Sequence, residues 1–209
     1  MNFYQEVGLK GYDGTRRQFM VEAVKGRIAV HIGCTDEGLT AERMKSGGLL
    51  HSLLVRSAVR VVGVDVDTAG LLEMIEAGYT VYNHDFTDGC PKARLEKEIQ
   101  SADVVLVPEV VEHLGCPEEF LGNVFDTMWG LSRIVVSAPN AFSAVHIRET
   151  LERRKEFVHP DHVSWYSPFT LGNLLRRVGF VVENTWTCGF EVQKDPWLRE
   201  TVIIEARKP

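Results

Sequence analysis

Two apolar runs, one helix-length apart, constrain this chain more than any other feature. The first, Arg27-Ile-Ala-Val-His-Ile-Gly-Cys-Thr-Asp-Glu-Gly38, ends in a glycine turn, and the second, Val61-Val-Gly-Val-Asp-Val-Asp67, ends in carboxylates. Runs of this kind suit parallel strands buried on both faces. A strand, a glycine turn, a helix and a strand with an acidic end together lay out an α/β nucleotide site. The turn lets backbone approach the ligand, and the carboxylate accepts hydrogen bonds from ribose hydroxyls.

The alternation continues downstream. Strands are expected at 27–32, 59–65, 79–83, 103–108 and 132–137, with helices at 43–57, 68–77, 91–100 and 117–130. Residues 1–26 are polar, turn helical from about Thr15 to Lys25, and are expected to cover the pocket. Ser167-Pro168 reads as the N-cap and first residue of a helix, with Leu171, Leu174, Leu175 and Val178 along one face and Gly179 as its stop. Phe180–Thr187 and Glu200–Ala206 follow with no helix between them, so they should pair antiparallel. The expectation is one α/β domain over 1–209, with a cofactor-binding half at 27–140 and a substrate-side half at 141–209.

The loop Gly33–Gly38 discriminates among ligands. It has the glycine spacing of a phosphate-binding loop, but Leu39 stands where the lysine belongs, and Asp36 and Glu37 repel phosphate. Thr35 occupies the middle glycine position of a dinucleotide fingerprint, which disfavours an NAD-linked oxidoreductase. An acidic loop suits a cationic or zwitterionic ligand. Net charge −6 argues against a general nucleic-acid or membrane-surface role. No apolar run approaches the ~20 residues of a membrane span, and no signal peptide is evident. Cys34, Cys90, Cys116 and Cys188 form no paired motif, so reduced thiols and a cytoplasmic location are expected.

Asp65 is read as the ribose acceptor and Asp67 as the N-cap of the next helix. Asp85-Phe86, past the third strand, reads as an adenine clasp or as a plain turn. Five segments in order carry a resemblance: Val30-His-Ile-Gly-Cys34; Val62-Gly-Val-Asp65; Ala102-Asp-Val-Val-Leu-Val-Pro-Glu-Val-Val-Glu-His-Leu114; Val136-Ser-Ala-Pro-Asn140; and His159-Pro-Asp-His-Val-Ser-Trp-Tyr-Ser-Pro-Phe-Thr-Leu171 running into Gly179-Phe180. Over 27–206 the chain resembles class I S-adenosylmethionine (SAM)-dependent methyltransferases. The resemblance implies a Rossmann-like three-layer sandwich whose mostly parallel, seven-stranded sheet has an antiparallel last strand. It also implies SAM as cofactor and S-adenosylhomocysteine (SAH) as product. Cofactor contacts would come from His31, Gly33, Cys34, Thr35, Asp36, Asp65, Val66, Asp85, Phe86, Pro108 and Glu109. Two departures stand out. His31 replaces the family's acidic residue, and Thr35-Asp36-Glu37 replaces its glycine-rich continuation; Asp36 or Glu37 is expected to supply the missing charge for the methionine ammonium.

His113, His159 and His162 are the candidate bases. If a helix began near Glu109, then Glu109, Glu112 and His113 would share a face, with His159 or His162 completing an ion site for Mg²⁺ or Mn²⁺. The segment is similar to one in metal-dependent small-RNA 2′-O-methyltransferases and ubiquinone-pathway O-methyltransferases. Relatives without metal share it too, so no metal is the favoured expectation. Trp165 and Tyr166 are expected to anchor their loop, and Arg148, Arg153, Arg154 and Lys155 to form a solvated face. The expected function is methyl transfer from SAM to an oxygen or nitrogen of a small molecule or glycan precursor. Metal-assisted RNA 2′-O-methylation and non-catalytic SAM binding are the alternatives; oligomeric state has no sequence signal.

Overall fold

The computed structural model describes residues 4–189 and 194–209. Their eight strands form one sheet: β1 (Leu9–Gly11), β2 (Ile28–Ile32), β3 (Arg60–Asp65), β4 (Val81–Asn83), β5 (Val104–Pro108), β6 (Arg133–Pro139), β7 (Val181–Cys188) and β8 (Thr201–Arg207). The order across the sheet is β1-β7-β8-β6-β5-β2-β3-β4, and only β8 runs antiparallel to its neighbours. The helices are α1 (Arg16–Val24), α2 (Thr40–Ser46), α3 (Leu50–Ser57), α4 (Thr68–Glu76), α5 (Ala93–Gln100), α6 (Pro117–Thr127), α7 (Ala144–Arg153) and α8 (Pro168–Val178).

Successive strand residues point to opposite faces, and each face is apolar. Ala29, Val61, Val104, Leu106, Val135 and Ile203 pack with Phe19, Met20 and Val24 of α1 and Leu50 and Leu54 of α3. Val30, Val62, Val105, Ile134 and Ile204 face the other way, against Leu95 and Ile99 of α5, Phe120 and Val124 of α6, and Leu171 and Leu175 of α8. The result is the expected three-layer sandwich with its reversed strand near the C-terminus.

The sheet has eight strands rather than the expected seven. The extra one lies in the N-terminal segment expected to be only a helical cover: Leu9, Lys10 and Gly11 pair in parallel with Thr185, Trp186 and Thr187 of β7. That pairing covers an edge whose backbone groups would otherwise stand open. The helix expected over 43–57 is two helices, because Gly47 (φ +73) ends α2 in the left-handed conformation, which only glycine adopts without strain. Other signals hold. Asp67 caps α4 by accepting from Ala69 N, Ser167 and Thr170 form a capping box with Pro168 at the first turn of α8, and Gly179 ends that helix. Among the described residues, no helix is long and apolar enough to cross a membrane.

From β2 the chain builds outward through β3 to β4, then returns to place β5 and β6 on the other side of β2. The order therefore reverses between β2 and β5, which opens a crevice at the C-terminal strand ends there.

Candidate active site

Gly33 turns the chain out of β2 at this switch point with φ +77, and a Cβ built on it would stand 2.5 Å from Cγ2 of Val110. The turn is held from β3. Asp65 Oδ2 accepts from Thr35 N (2.9 Å), while Oδ1 accepts from Val66 N (2.8 Å) and Asp67 N (3.0 Å). Asp36 is tied to Thr40 through its backbone, and its carboxylate lies 2.7 Å from Nη1 of Arg43. Cys34 is buried beside Gly63, and burial followed by the nearby Asp65 charge raises its thiol pKa far above the usual range.

His31 lies on the face of β2 covered by α1 and α3. Its Nδ1 is 3.2 Å from Nδ1 of His51, and the two buried rings stack at 5.4 Å with 11° between planes. One ring must donate and the other accept, so the acceptor ring at least is neutral. Burial, then His51 and then Arg16 hold His31 well below the usual histidine range; burial brings His51 to about 4. His31 is therefore no substitute for an acidic residue.

The neighbouring strand end carries the other expected cofactor contacts. Val66 is exposed, and Asn83 Nδ2 donates to its carbonyl at 3.1 Å. Asp85 Oδ1 accepts from Thr87 N (2.8 Å) and Thr87 Oγ1 (2.7 Å), capping a 3₁₀ turn at Phe86–Asp88. The Phe86 ring is core, edge-on to His84 and Phe120. Asp85 therefore shapes the turn, and Phe86 anchors it from below.

Across the crevice, Pro108 ends β5 and is buried. The helix expected from Glu109 does not form. Glu109 takes a left-handed φ of +56, its N–H donates to Ser137 O at 3.0 Å, and only a 3₁₀ turn follows at Val111–His113. Helical spacing therefore does not align Glu109, Glu112 and His113. The cluster that forms contains His113, His159 and His162, whose ligating atoms lie within 4.8 Å of one another. Burial, then the neighbouring imidazoles, lowers the pKa of His113 and His162, with Asp161 opposing. Both are neutral at pH 7.

Glu112 is 1% exposed, and neither carboxylate oxygen has a hydrogen-bond partner among the described residues. Burial, then the charge of Glu109, raises its pKa to about 8. Its carbonyl accepts from Val163 N (2.9 Å) and Ser164 N (3.2 Å), so the 159–166 segment is fastened directly over it. Tyr166 is buried with its hydroxyl 3.4 Å from Val111 O, and Trp165 Nε1 donates to Glu156. On α7, Glu149 pairs with Arg148 and Arg153, as expected of a solvated face.

Sequence reasoning missed Arg16. It is the first residue of α1, and its Nε lies 3.8 Å from Oε1 of Glu109. The signal was available: Thr15 and Gln18 form a capping box, which fixes the helix start and so places Arg16 over the strand ends.

No family model matches the chain, and no curated protein matches it. Solved structures do. A SAM-dependent methyltransferase from Archaeoglobus fulgidus is 18% identical, with a TM-score of 0.58 over 92% of this chain and 94% of that one. The small RNA methyltransferase HEN1 is 21% identical, with a TM-score of 0.66 over 92% of this chain but only 25% of its own. The [4+2]-cyclase SpnF is 12% identical, with a TM-score of 0.62 over 92% of this chain and 80% of that one. A fold that carries a cyclase as well as methyltransferases does not by itself fix a reaction. The chain has the Rossmann-like fold of SAM-dependent methyltransferases.

Proposed function

We propose that the chain binds SAM in the crevice between β2 and β5 and moves its methyl group to an oxygen or nitrogen of a small molecule or glycan precursor. The Gly33 turn carries this reading: bare left-handed backbone at the switch point, tied through Thr35 N to Asp65, whose other oxygen holds the backbone of Val66 and Asp67. Such a turn admits a ligand that needs close backbone approach, and Asp65 Oδ2 retains acceptor capacity for a ribose hydroxyl. At the methionine end, Glu109 and Arg16 offer opposite charges for the ammonium and carboxylate. Neutral His31 cannot do this, and Asp36 is engaged by Arg43.

The cofactor supplies a methyl carbon activated by its sulfonium. Bound there, SAM would donate that carbon to an acceptor lone pair and leave as SAH, with the electrons of the C–S bond returning to sulfur. The acceptor proton passes to one of His113, His159 and His162; the neutral rings of His113 and His162 can take it. Titration calorimetry with SAH, followed by methyl release from SAM across phenol, amine and sugar acceptors, tests the proposal. No heat with SAH at about 1 mM removes the cofactor reading. Binding without turnover on any acceptor leaves a SAM-binding protein.

Glu112 favours a second reading. A buried carboxylate whose two oxygens have no partner among the described residues would gain one from a divalent cation bound at His113, His159 and His162, the side chains whose ligating atoms converge within 4.8 Å. Such an ion would polarise an acceptor hydroxyl, including the ribose 2′-hydroxyl of an RNA end. A rise in the unfolding temperature with Mn²⁺ that Glu112→Gln abolishes would support it, and no rise would remove it.

A further inference from the structure

α7 is an amphipathic helix whose apolar stripe faces no core. None of its residues is buried, and Ile147 and Leu151 are 39% and 62% exposed. Apolar positions set out this way are normally covered. Here they form one wall of an open cavity of about 480 Å³, a size suited to a small ligand. Phe157 and Trp165 also line it.

His146 joins the walls. Its Nδ1 lies 2.9 Å from Asn140 O, and its ring meets Trp165 edge-on at 4.6 Å and Phe157 at 6.1 Å. The Trp165 indole is pinned by its 2.8 Å bond to Glu156 Oε1. These contacts hold the aromatic wall in place.

The cavity adjoins the histidine cluster. Trp165 and His162 share the segment that Val163 N and Ser164 N fasten to Glu112 O, and Ala141 N donates to Tyr166 O at 2.8 Å where β6 runs out. A ligand seated on Trp165 would therefore have one end at the strand termini where methyl transfer is proposed.

We propose that this cavity is the acceptor subsite and that it takes a planar aromatic ring, neutral or cationic, bearing the hydroxyl or amino group to be methylated. The proposal rests on the methyltransferase reading and narrows its substrate class. Ile147, Leu151, Phe157 and Trp165 offer apolar and π surface, which an aromatic ring matches by offset or edge contact. No lysine or arginine lines the cavity among the described residues, while Glu156 does, so a phosphorylated sugar or nucleotide finds no counter-charge. A sugar ring would leave most of its hydroxyls facing carbon.

NMR of the ¹⁵N-labelled protein tests this, reading the Trp165 indole N–H identified through Trp165→Phe. Titration with 2-naphthol should move that resonance saturably, with a dissociation constant below about 1 mM. Leu151→Glu, at a position 62% exposed and so without a core to disturb, should weaken the response about tenfold or more and leave SAH affinity unchanged. Methyl β-glucoside and adenosine monophosphate should leave the resonance in place. No response to 2-naphthol, an undiminished response in Leu151→Glu, or a stronger response to the glucoside or nucleotide each overturns the proposal. Calorimetry with SAH on the same sample separates the two readings. Naphthol binding without SAH binding removes methyl transfer and keeps a ring-binding cavity. SAH binding without naphthol binding removes the aromatic subsite alone.

Discussion

The two walls of the crevice treat buried charge in opposite ways. On the β3 side, both oxygens of Asp65 are bonded, accepting three backbone N–H groups in all, and the histidines His31 and His51, kept neutral by burial, bond each other. Each group there that has an unpartnered atom also has a bonded one: His31, His51 and Asp67. On the β5 side, Glu112 is buried with neither oxygen bonded among the described residues, next to a second carboxylate. The first wall is finished in the sense that each of its buried polar side chains is held by at least one hydrogen bond, while Glu112 on the second has none. On the proposed reading, the first wall would hold the cofactor rigidly and the second would adapt to an acceptor.

The largest effect should come from disturbing the finished wall. Gly33→Ala forces a side chain into φ +77 and drives its Cβ to 2.5 Å from Val110 Cγ2. Left-handed strain costs about 1–2 kcal/mol and overpacking about 1–3, so a loss of about 3 kcal/mol in urea unfolding is expected. Val110→Ala added to Gly33→Ala should recover the steric part only. A loss below about 1 kcal/mol would mean that the turn is softer than its contacts imply.

The next effect distinguishes the walls by the sign of their pH dependence. Glu112 titrates near 8 when folded and near 4.5 when free, so between those values the folded chain keeps a proton that the unfolded chain loses. The Glu112 contribution to stability therefore falls as pH rises from 4.5 to 8, by up to about 1.4 kcal/mol per pH unit, and is flat above. His51 does the reverse. Its folded pKa of about 4 lies below the free value of 6.5, so stability is lost as pH falls through that window. Glu112→Gln, unfolded by urea in EDTA, should abolish the upper slope and gain on the order of 2 kcal/mol at pH 7. His51→Gln should flatten the acid slope and leave the upper one. Parallel pH curves for wild type and Glu112→Gln would show that a partner in solution already satisfies this carboxylate.

The finished wall was also the more legible one. Asp67 caps α4 as the sequence suggested, because cap chemistry is local in the chain, while Asp65, read there as the ribose acceptor, also holds the loop through Thr35 N. The unfinished wall was misread where a local pattern met a tertiary contact. Glu109-Val-Val-Glu-His113 has helical spacing, but Ser137 O takes the Glu109 N–H and the backbone turns left-handed. His31 looked like a defective acidic residue; its partner His51 is 20 residues away and outside any local motif. β1 is too short to show a period, and the apolar rhythm on either side of Gly47-Gly48 hid the break between α2 and α3.

Arg16 spans the comparison, because its helix packs on the β2 face while its guanidinium crosses to Glu109 on the other wall. At 3.8 Å the pair is looser than a hydrogen bond, and both side chains are 28% exposed, so its own contribution to stability is small. The charge matters more for a zwitterionic ligand. Arg16→Gln should therefore leave the urea midpoint nearly unchanged while weakening SAH binding about tenfold, roughly 1.4 kcal/mol. 5′-Methylthioadenosine, which lacks the amino-acid carboxylate and ammonium, should bind wild type and variant alike. Equal losses for both ligands would place Arg16 in the general shape of the crevice. A loss confined to SAH would assign it to the methionine end, where His31 contributes no charge.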